Sequence, residues 1–468
     1  MFYINFRWKR RKLYALAKKI PGTDGLPLIG HAFTFMGIDV RNNINDSGKL
    51  LQNNLPVSKI WAGSLLFIVV NSPDHSQAML QSTACLKIPF IISRPFLHRY
   101  GLIIANGAVW QHHRKILSHS FKINILQQLM PIFNQKCMKF VEKLQPKIGA
   151  PEFDIGHYVA ALTLETTMTG NFHYDHCFYG SKIISDIDHG KTLMMKRMIE
   201  PWWNFEWLFQ RSKLYKDMKA SITLLDAKID EIIEAYKTNM NNNEHRGTFV
   251  IDQLMDPANN LTYEEIRDEI FIFIIAGYET SSVTLSAILL MIAMHKDVQR
   301  KMFEEVDENY DGGHIEMEDL HKFKYIEMVI KEALRLFPTV PFVPRKVTQE
   351  FQMREYTIPK DTILIDFLYF MHRNKTYWGE DADKFRPERF EPEEIKKIHP
   401  HAYAPFAAGK RVCIGNKYAM YFLKIALVHI FKHYEFSTTY KYEEITATMS
   451  PSLEIAQKYH VSVERRKS

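Results

Sequence analysis

The sequence predicts a mainly α-helical protein with a small β subdomain, and three observations carry that expectation. Helical periodicity dominates from position 110 to about 440. Short strand patterns interrupt it at few places, notably 57–70 and 362–367. The composition, 46% hydrophobic and 24% charged with 31 Phe and 22 Tyr, belongs to a folded chain with a large core and room for an apolar ligand.

The N-terminal stretch from Phe2 to Phe6 is apolar but short. Arg7, Lys9, Arg10, Arg11 and Lys12 follow it, then Lys18 and Lys19. A membrane-spanning helix needs about 20 apolar residues. Residues 1–20 therefore read as the basic remnant of a membrane anchor truncated in this chain, with a basic amphipathic helix lying on an anionic membrane surface as the alternative. No cleavable signal peptide is expected from this stretch. Pro21, Gly22, Gly25, Pro27 and Gly30 make 21–30 a stiff, turn-rich hinge. Length alone suggests two or three domains. No convincing linker occurs later, however, and 31–468 reads as a single domain.

Within it, 57–70 reads as strand, turn at Gly63 and Ser64, then strand. Ser72 and Pro73 are placed to start a helix, as N-cap and first-turn residues. Residues 239–244 form a polar loop. A long helix is expected from 263 to about 295. Its uncharged half, 280–294, is too short to span a bilayer and reads as core.

The net charge of +7 is mild for 468 residues and points to no nucleic acid. Cys85, Cys137, Cys177 and Cys413 are scattered without C-x-x-C spacing, so neither a zinc ribbon nor a disulfide framework is indicated, and a reducing intracellular environment fits better. No G-x-G-x-x-G occurs, so no dinucleotide site is expected. Gly190-Lys191-Thr192 has the look of a phosphate-loop end, but Ser185 stands where its first glycine belongs.

The sharpest chemistry lies in Phe406-Ala-Ala-Gly409-Lys-Arg411-Val-Cys413-Ile-Gly415. A thiolate that binds iron must approach a flat macrocycle closely, and flanking glycines let the backbone turn in where a Cβ would collide. Backbone N–H groups beyond the turn can tune the sulfur. Arg411 can neutralise a propionate, and Phe406 can shield the sulfur from water. A lone cysteine beside a glycine turn is usually structural. Here the spaced residues together resemble, without a gap, the F-x-x-G-x-R-x-C-x-G cysteine loop of the cytochrome P450 superfamily.

Other segments resemble the same superfamily in its order. Glu332-Ala-Leu-Arg335 resembles its E-x-x-R helix, and Pro387-Glu-Arg389-Phe390 its later P-E-R-F element. The resemblance implies that Glu332, Arg335 and Arg389 form a buried triad that locks the cysteine loop. Trp110-Gln-His-His-Arg114 resembles W-x-x-x-R, whose spacing puts both side chains on one helix face. The resemblance gives them, and Arg345, to the haem propionates. Ala276-Gly277-Tyr278-Glu279-Thr280 resembles A-G-x-[DE]-T. Oxygen activation needs two protons, which a hydroxyl and a carboxylate on one helix can deliver. The glycine is expected to thin the helix where dioxygen fits.

Residues 101–121 and the run from His372-Arg373-Asn374 to Phe390 are most similar to family 4 of the superfamily, in its insect-type members. The resemblance covers roughly residue 21 to the C-terminus. It implies the cytochrome P450 fold, a triangular helical prism enclosing haem. Cys413 would be the axial ligand of the iron and O2 the co-substrate. The activity would be monooxygenation of an apolar substrate: a fatty acid, a hormone-like lipid or a xenobiotic. Family 4 often has glutamate where Ala276 stands, and that glutamate can esterify the haem. Alanine cannot, so haem b held non-covalently is expected.

Electrons would come from NADPH through a separate cytochrome P450 reductase, with cytochrome b5 as a further partner, at the cytosolic face of the endoplasmic reticulum membrane. Lys410, Arg411 and Lys417 offer a basic docking face or a merely solvated one. Substrate contacts are expected from 87–104, 194–210, 270–284 and 340–343. Trp202, Trp203, Phe205, Trp207 and Phe209 read as an entrance lining or membrane-interface cluster, or as core. A haem-thiolate rearrangement enzyme and a non-catalytic haem protein are the alternatives. Glu279 and Thr280 argue against the first, because a rearrangement needs no proton delivery to oxygen.

Overall fold

A computed structural model of the chain describes residues 2–26, 28–31, 44, 48, 55–87, 100–241, 249–450 and 452–466. Most of the expected substrate loop 87–104, part of the polar loop 239–244, and Pro27 of the expected hinge lie outside the described residues. The chain divides into two compact units. One comprises 1–88, 334–413 and 446–449, the other 89–333, 414–445 and 450–468.

The first unit is built on a five-stranded sheet. β1 (Val57–Ala62) and β2 (Leu65–Val70) form the expected hairpin, with Ala62 opposite Leu65 and Gly63 at φ +59° in the turn. β3 is Cys85–Leu86, β4 is Val343–Val347 and β5 is Ile363–Asp366. The strand order is β1-β2-β5-β4-β3, with β2 and β5 parallel. β2 reads Leu-Leu-Phe-Ile-Val-Val, the near-continuous apolar run of a strand covered on both faces.

Helix α1 (Pro73–Gln81) starts at Ser72 with Pro73 in the first turn, as expected. The Ser72 hydroxyl, however, meets the His75 ring at 3.0 Å and makes no capping bond. The Pro/Gly segment lies against β1. The Lys59 amide donates to the Pro21 carbonyl and the His31 amide to the Trp61 carbonyl, each at 2.7 Å. A side chain on Gly30 would run into that Trp61 carbonyl.

The second unit is mainly helical: α2 (Gly107–Leu117), α3 (Met130–Leu144), α4 (Gly156–Phe172), α5 (Lys182–Ile199), α6 (Lys213–Asn241), α7 (Tyr263–Met294) and α8 (Lys296–Asn309). α9 (Lys324–Leu336) runs through residue 333, where the chain passes into the first unit, and α10 (Asn416–His433) belongs again to the second. β6 (Tyr434–Ser437) and β8 (His460–Arg465) pair antiparallel, while β7 (Ser452–Ile455) is buried beside α7.

α7 begins at a capping box in which Thr262 and Glu265 exchange hydrogen bonds. It is long and apolar enough to cross a membrane, but most of its apolar stretch is buried in the chain, as befits a core helix. Gly277 has a different use from the one expected. A Cβ there would lie 2.8 Å from Thr167 Cγ2. The missing side chain lets α4 pack closely on α7, so this glycine serves helix packing.

Candidate functional site

In the first unit, Cys413 ends a tight loop. Residues 409–411 form a short 3-10 turn, and the Cys413 amide donates to the Phe406 carbonyl at 3.0 Å. Gly409 sits at φ +70°, and a Cβ there would lie 2.7 Å from the Leu80 carbonyl oxygen at the end of α1. Glycine is thus required at 409 by backbone and neighbour alike. The loop leaves Cys413 exposed and Phe406 and Arg411 half-buried.

Gly415 differs. It caps α10 at φ −91°, and its nearest neighbour to a Cβ would be Phe121 at 3.8 Å, an ordinary contact. Neither the backbone nor the protein's packing excludes a side chain at 415.

Glu332 and Arg335 on α9 are fully buried, and Arg389 is buried. The Arg335 guanidinium donates to the carbonyls of His372 at 2.7 Å, Ala382 at 2.6 Å and Lys384 at 3.1 Å, and lies over the Trp378 ring. Arg389 donates to the Trp378 carbonyl at 3.0 Å and to Asp381 Oδ1 at 2.7 Å. Asp381, absent from the sequence-based set, is thus a carboxylate partner of Arg389.

His372 is another residue that sequence reasoning left without a role. Its Nδ1 meets the Arg335 carbonyl at 3.2 Å, and its Nε2 accepts from the Ala404 amide at 3.1 Å. This geometry assigns a neutral ring with the proton on Nδ1. It links the end of α9 to the segment that enters the cysteine loop. Complete burial, with Arg335 beside it, pushes the imidazole down to about 3.

Arg345 on β4 is 2% exposed. Its Nη1 donates to the Pro344 carbonyl at 2.9 Å, while its buried Nη2 has no hydrogen-bond partner within the protein. Asp366, fully buried on β5, accepts from Ser76 Oγ at 2.6 Å and is pushed up to about 7 by burial. Lys87 directly follows β3, whose Leu86 pairs with Lys346, so its backbone runs on towards Arg345. Burial, then Arg345 and Arg411, push its ammonium down to about 7. No motif marked Lys87, which had been counted only within a substrate loop.

In the second unit, Trp110 and Arg114 lie one turn apart on α2, both half-buried, as their spacing requires. Between them His113 is buried. Its Nδ1 lies 2.7 Å from Glu269 Oε1 on α7, and its Nε2 lies 3.5 Å from Glu265. Hydrogen bonding to Glu269 holds the imidazole above its usual range. The two adjacent histidines inside W-x-x-x-R were the only signal for this tie.

Thr280 is half-buried on α7, and its hydroxyl donates back to the Ala276 carbonyl at 2.7 Å. Glu279 is buried beside it and ion-paired at 2.8 Å with Lys191 of α5. Burial holds this carboxyl above its usual range, against the pull of Lys191. Residues 190–192 lie within α5, in keeping with the reading that they form no phosphate loop.

Two features of the first unit suit a haem: Arg345 offers a buried donor in need of an anion, and Cys413 presents an exposed thiol. Among the described residues no cluster of His, Cys, Asp and Glu could hold a bare metal ion.

The family model described as "Cytochrome P450" matches residues 20–461. The chain is 28% identical over 486 residues to "Probable cytochrome P450 313a3" of Drosophila melanogaster, covering 99% of this chain and 97% of that protein. It is 30% identical to "Probable cytochrome P450 313b1" of the same fly, covering 99% of this chain and 97% of the relative. To "Cytochrome P450 4c21" of Blattella germanica it is 29% identical, covering 94% and 92%.

Proposed function

The chain belongs to the cytochrome P450 family, and on that premise we propose which residues carry its chemistry and what it acts on. It is a haem-thiolate monooxygenase that uses O2, a redox partner and an apolar substrate. When bound, a thiolate-ligated haem supplies oxygen activation, because the thiolate pushes electron density that favours O–O cleavage. Overall, substrate, O2, two electrons and two protons give oxygenated product and water.

In our reading Cys413 would supply the thiolate that holds the haem iron. The observation that carries it is the exposed thiol at the end of a loop anchored by Cys413–Phe406 and by Gly409 against Leu80. Arg345, Arg411, Trp110 and Arg114 hold the propionates, and the partnerless Nη2 of Arg345 supports its part. Phe406 keeps water from the sulfur, and Gly415 leaves room for the macrocycle. Glu332, Arg335 and Arg389 stiffen the frame behind the loop. Glu279 and Thr280 pass protons to oxygen, and burial suits Glu279 to hold one.

Haem b is held without a covalent bond to residue 276, because alanine has no carboxyl to esterify. Acid–acetone extraction should strip the haem completely, and haem retained on the polypeptide would contradict this. The substrate is a fatty acid, a hormone-like lipid or a xenobiotic. Electrons come from NADPH through a separate reductase, with cytochrome b5 as an accessory donor. The N-terminal basic residues and the exposed Trp202, Phe205 and Trp207 favour a membrane surface, the cytosolic face of the endoplasmic reticulum. Incubation of holoprotein with NADPH, reductase and a substrate panel tests the reading: NADPH-dependent oxygenated product is expected. Haem-loaded protein that yields none, or that rearranges a substrate without NADPH, would count against it.

A further inference from the structure

Asp366, at the end of β5, is a fully buried carboxyl with one oxygen unused. In the β4–β5 ladder Val343 stands opposite Asp366, and Arg345 opposite Leu364. Opposite residues share a face, so Arg345 and Asp366 lie on one side of the sheet as diagonal neighbours. From α1 the Ser76 hydroxyl donates to Asp366 Oδ2 at 2.6 Å. Asp366 Oδ1 and Arg345 Nη2 are both buried, and neither makes a hydrogen bond. No sequence motif marks Asp366, and Ser76 lies 290 positions away from it.

Arg345 is the charged group that acts on Asp366. β2 sets the apolar Val70 beside it. The Cys85 thiol of β3 acts on Arg345, but burial pushes that thiol up to about 11, so it brings no charge near neutral pH. Lys87, just after β3, is a second titrating cation near Arg345. On α1, His75 is engaged by Ser72 at 3.0 Å and by Glu355 at 3.3 Å, and Asp74 is paired with Arg354. One permanent cation thus faces one buried carboxyl. A propionate held by Arg345 would set two anions against that cation. Two such anions are costly in a buried site, and the cost is removed when one takes a proton. Burial already pushes Asp366 up to about 7, against the pull of Ser76 and Arg345, which makes it the readier of the two. Oδ1 is the atom able to receive the proton.

We propose that Asp366 is a proton-uptake site coupled to haem binding: the internal counter-ion of Arg345, which becomes neutral when a propionate takes its place. This rests on the reading of Arg345 as a propionate partner and goes beyond it by giving that arginine a second carboxyl to satisfy. A proton from bulk water forms one O–H bond at Oδ1, and no electron moves. Ser76 keeps its hydrogen bond to Oδ2 in both states, so the carboxyl stays in place. Asp366 is a positioning residue, because its charge decides whether Arg345 is drawn along the sheet or released to the propionate. The sign follows from the like charge. A bound propionate raises the Asp366 value above about 7, so the contribution to haem retention is full below about 7 and is lost as pH rises through the higher value of the bound state.

The test uses holoprotein and the variants D366N, S76A and R345Q. Two readouts are followed: the rate of haem loss to an excess of a haem-scavenging apoglobin across about pH 6–9, and the infrared carbonyl band of a protonated carboxyl. Titration of Cys413 and Lys87 is common to all the proteins, so each rate is read as a ratio to wild type at the same pH. Wild type should lose haem up to about tenfold faster for each pH unit above the bound-state value. D366N, neutral throughout, should lack that rise and lack the infrared band at neutral pH. S76A removes a donor that favours the anion, so it should move both the rise and the disappearance of the band to higher pH. It keeps Asp366 itself, which holds the test open even if D366N fails to fold. R345Q should speed haem loss at every pH. Should R345Q leave haem loss unchanged, the propionate reading of Arg345 falls and the proton uptake with it. Should R345Q speed haem loss while D366N or S76A keeps the wild-type pH profile and band, the proton uptake alone is wrong.

Discussion

Two buried histidines, one in each unit, meet opposite fates. His372 in the cysteine-loop unit sits beside Arg335 and is driven down to about 3, a neutral ring bridging two backbone groups. His113 in the helical unit sits between Glu265 and Glu269 and is driven up, toward the cation. The contrast extends to their neighbours. The cysteine-loop unit buries Arg335 and Arg389, whose permanent charge meets backbone carbonyls and, at Arg389, the Asp381 carboxylate. The helical unit buries Glu269 and Glu279, carboxylates paired with His113 and Lys191, and of these two partners the imidazole can itself titrate. One arrangement suits holding a ligand loop still at any working pH, and the other suits handling protons.

The strongest way to break this contrast is Arg335→Leu. It strands the buried carbonyls of His372 and Ala382 and the part-buried carbonyl of Lys384, and should cost roughly 3–5 kcal/mol, read by denaturant unfolding, with little dependence on pH. A loss below about 1 kcal/mol would mean that the arginine frame is not what holds this unit.

His372→Leu comes next, at about 2–4 kcal/mol near neutral pH, since the Arg335 carbonyl and the Ala404 amide both lose their partner. Its pH dependence carries the sign. The folded value lies below the unfolded one, so the contribution is full above about 6.5 and fades as pH falls toward about 3. Wild-type stability should drop on that acid limb, and the variant should lose much of that slope.

His113→Leu should cost about 1–3 kcal/mol, and with the opposite sign. Here the folded value lies above the unfolded one, so the contribution is full below about 6.5 and is lost as pH rises through the raised value. Thermal melts of variant and wild type should therefore converge at alkaline pH. A gap that widened with pH would reverse the assignment.

Gly415→Ala should have the smallest effect on the fold, within about 0.5 kcal/mol, because its Cβ meets nothing closer than Phe121. Haem content should nonetheless fall. Full haem content in a normally folded variant would remove the reason given for glycine at 415.

The elements that the sequence foretold best are those with local causes. The 57–70 hairpin follows from two strand runs joined by a Gly-Ser turn, and α7 from its long uncharged run. Gly409 was legible because the motif spacing singled it out, and its backbone and its contact with Leu80 require glycine. What stayed hidden was made by distant pairing. Lys191 meets Glu279 across 88 positions, His113 meets Glu269 across 156, and His372 joins Arg335 to Ala404 through backbone groups that no side-chain pattern reports. Gly277 was read for the wrong neighbour, since its open side receives Thr167 of α4.

The central claim is that the Cys413 thiolate binds the iron. The most direct measurement is the ferrous–CO spectrum of Cys413→Ser against wild type, normalised to bound haem. The wild type should show the red-shifted Soret band of a thiolate-ligated haem and the variant should lack it. A variant that keeps the red-shifted band would contradict the account.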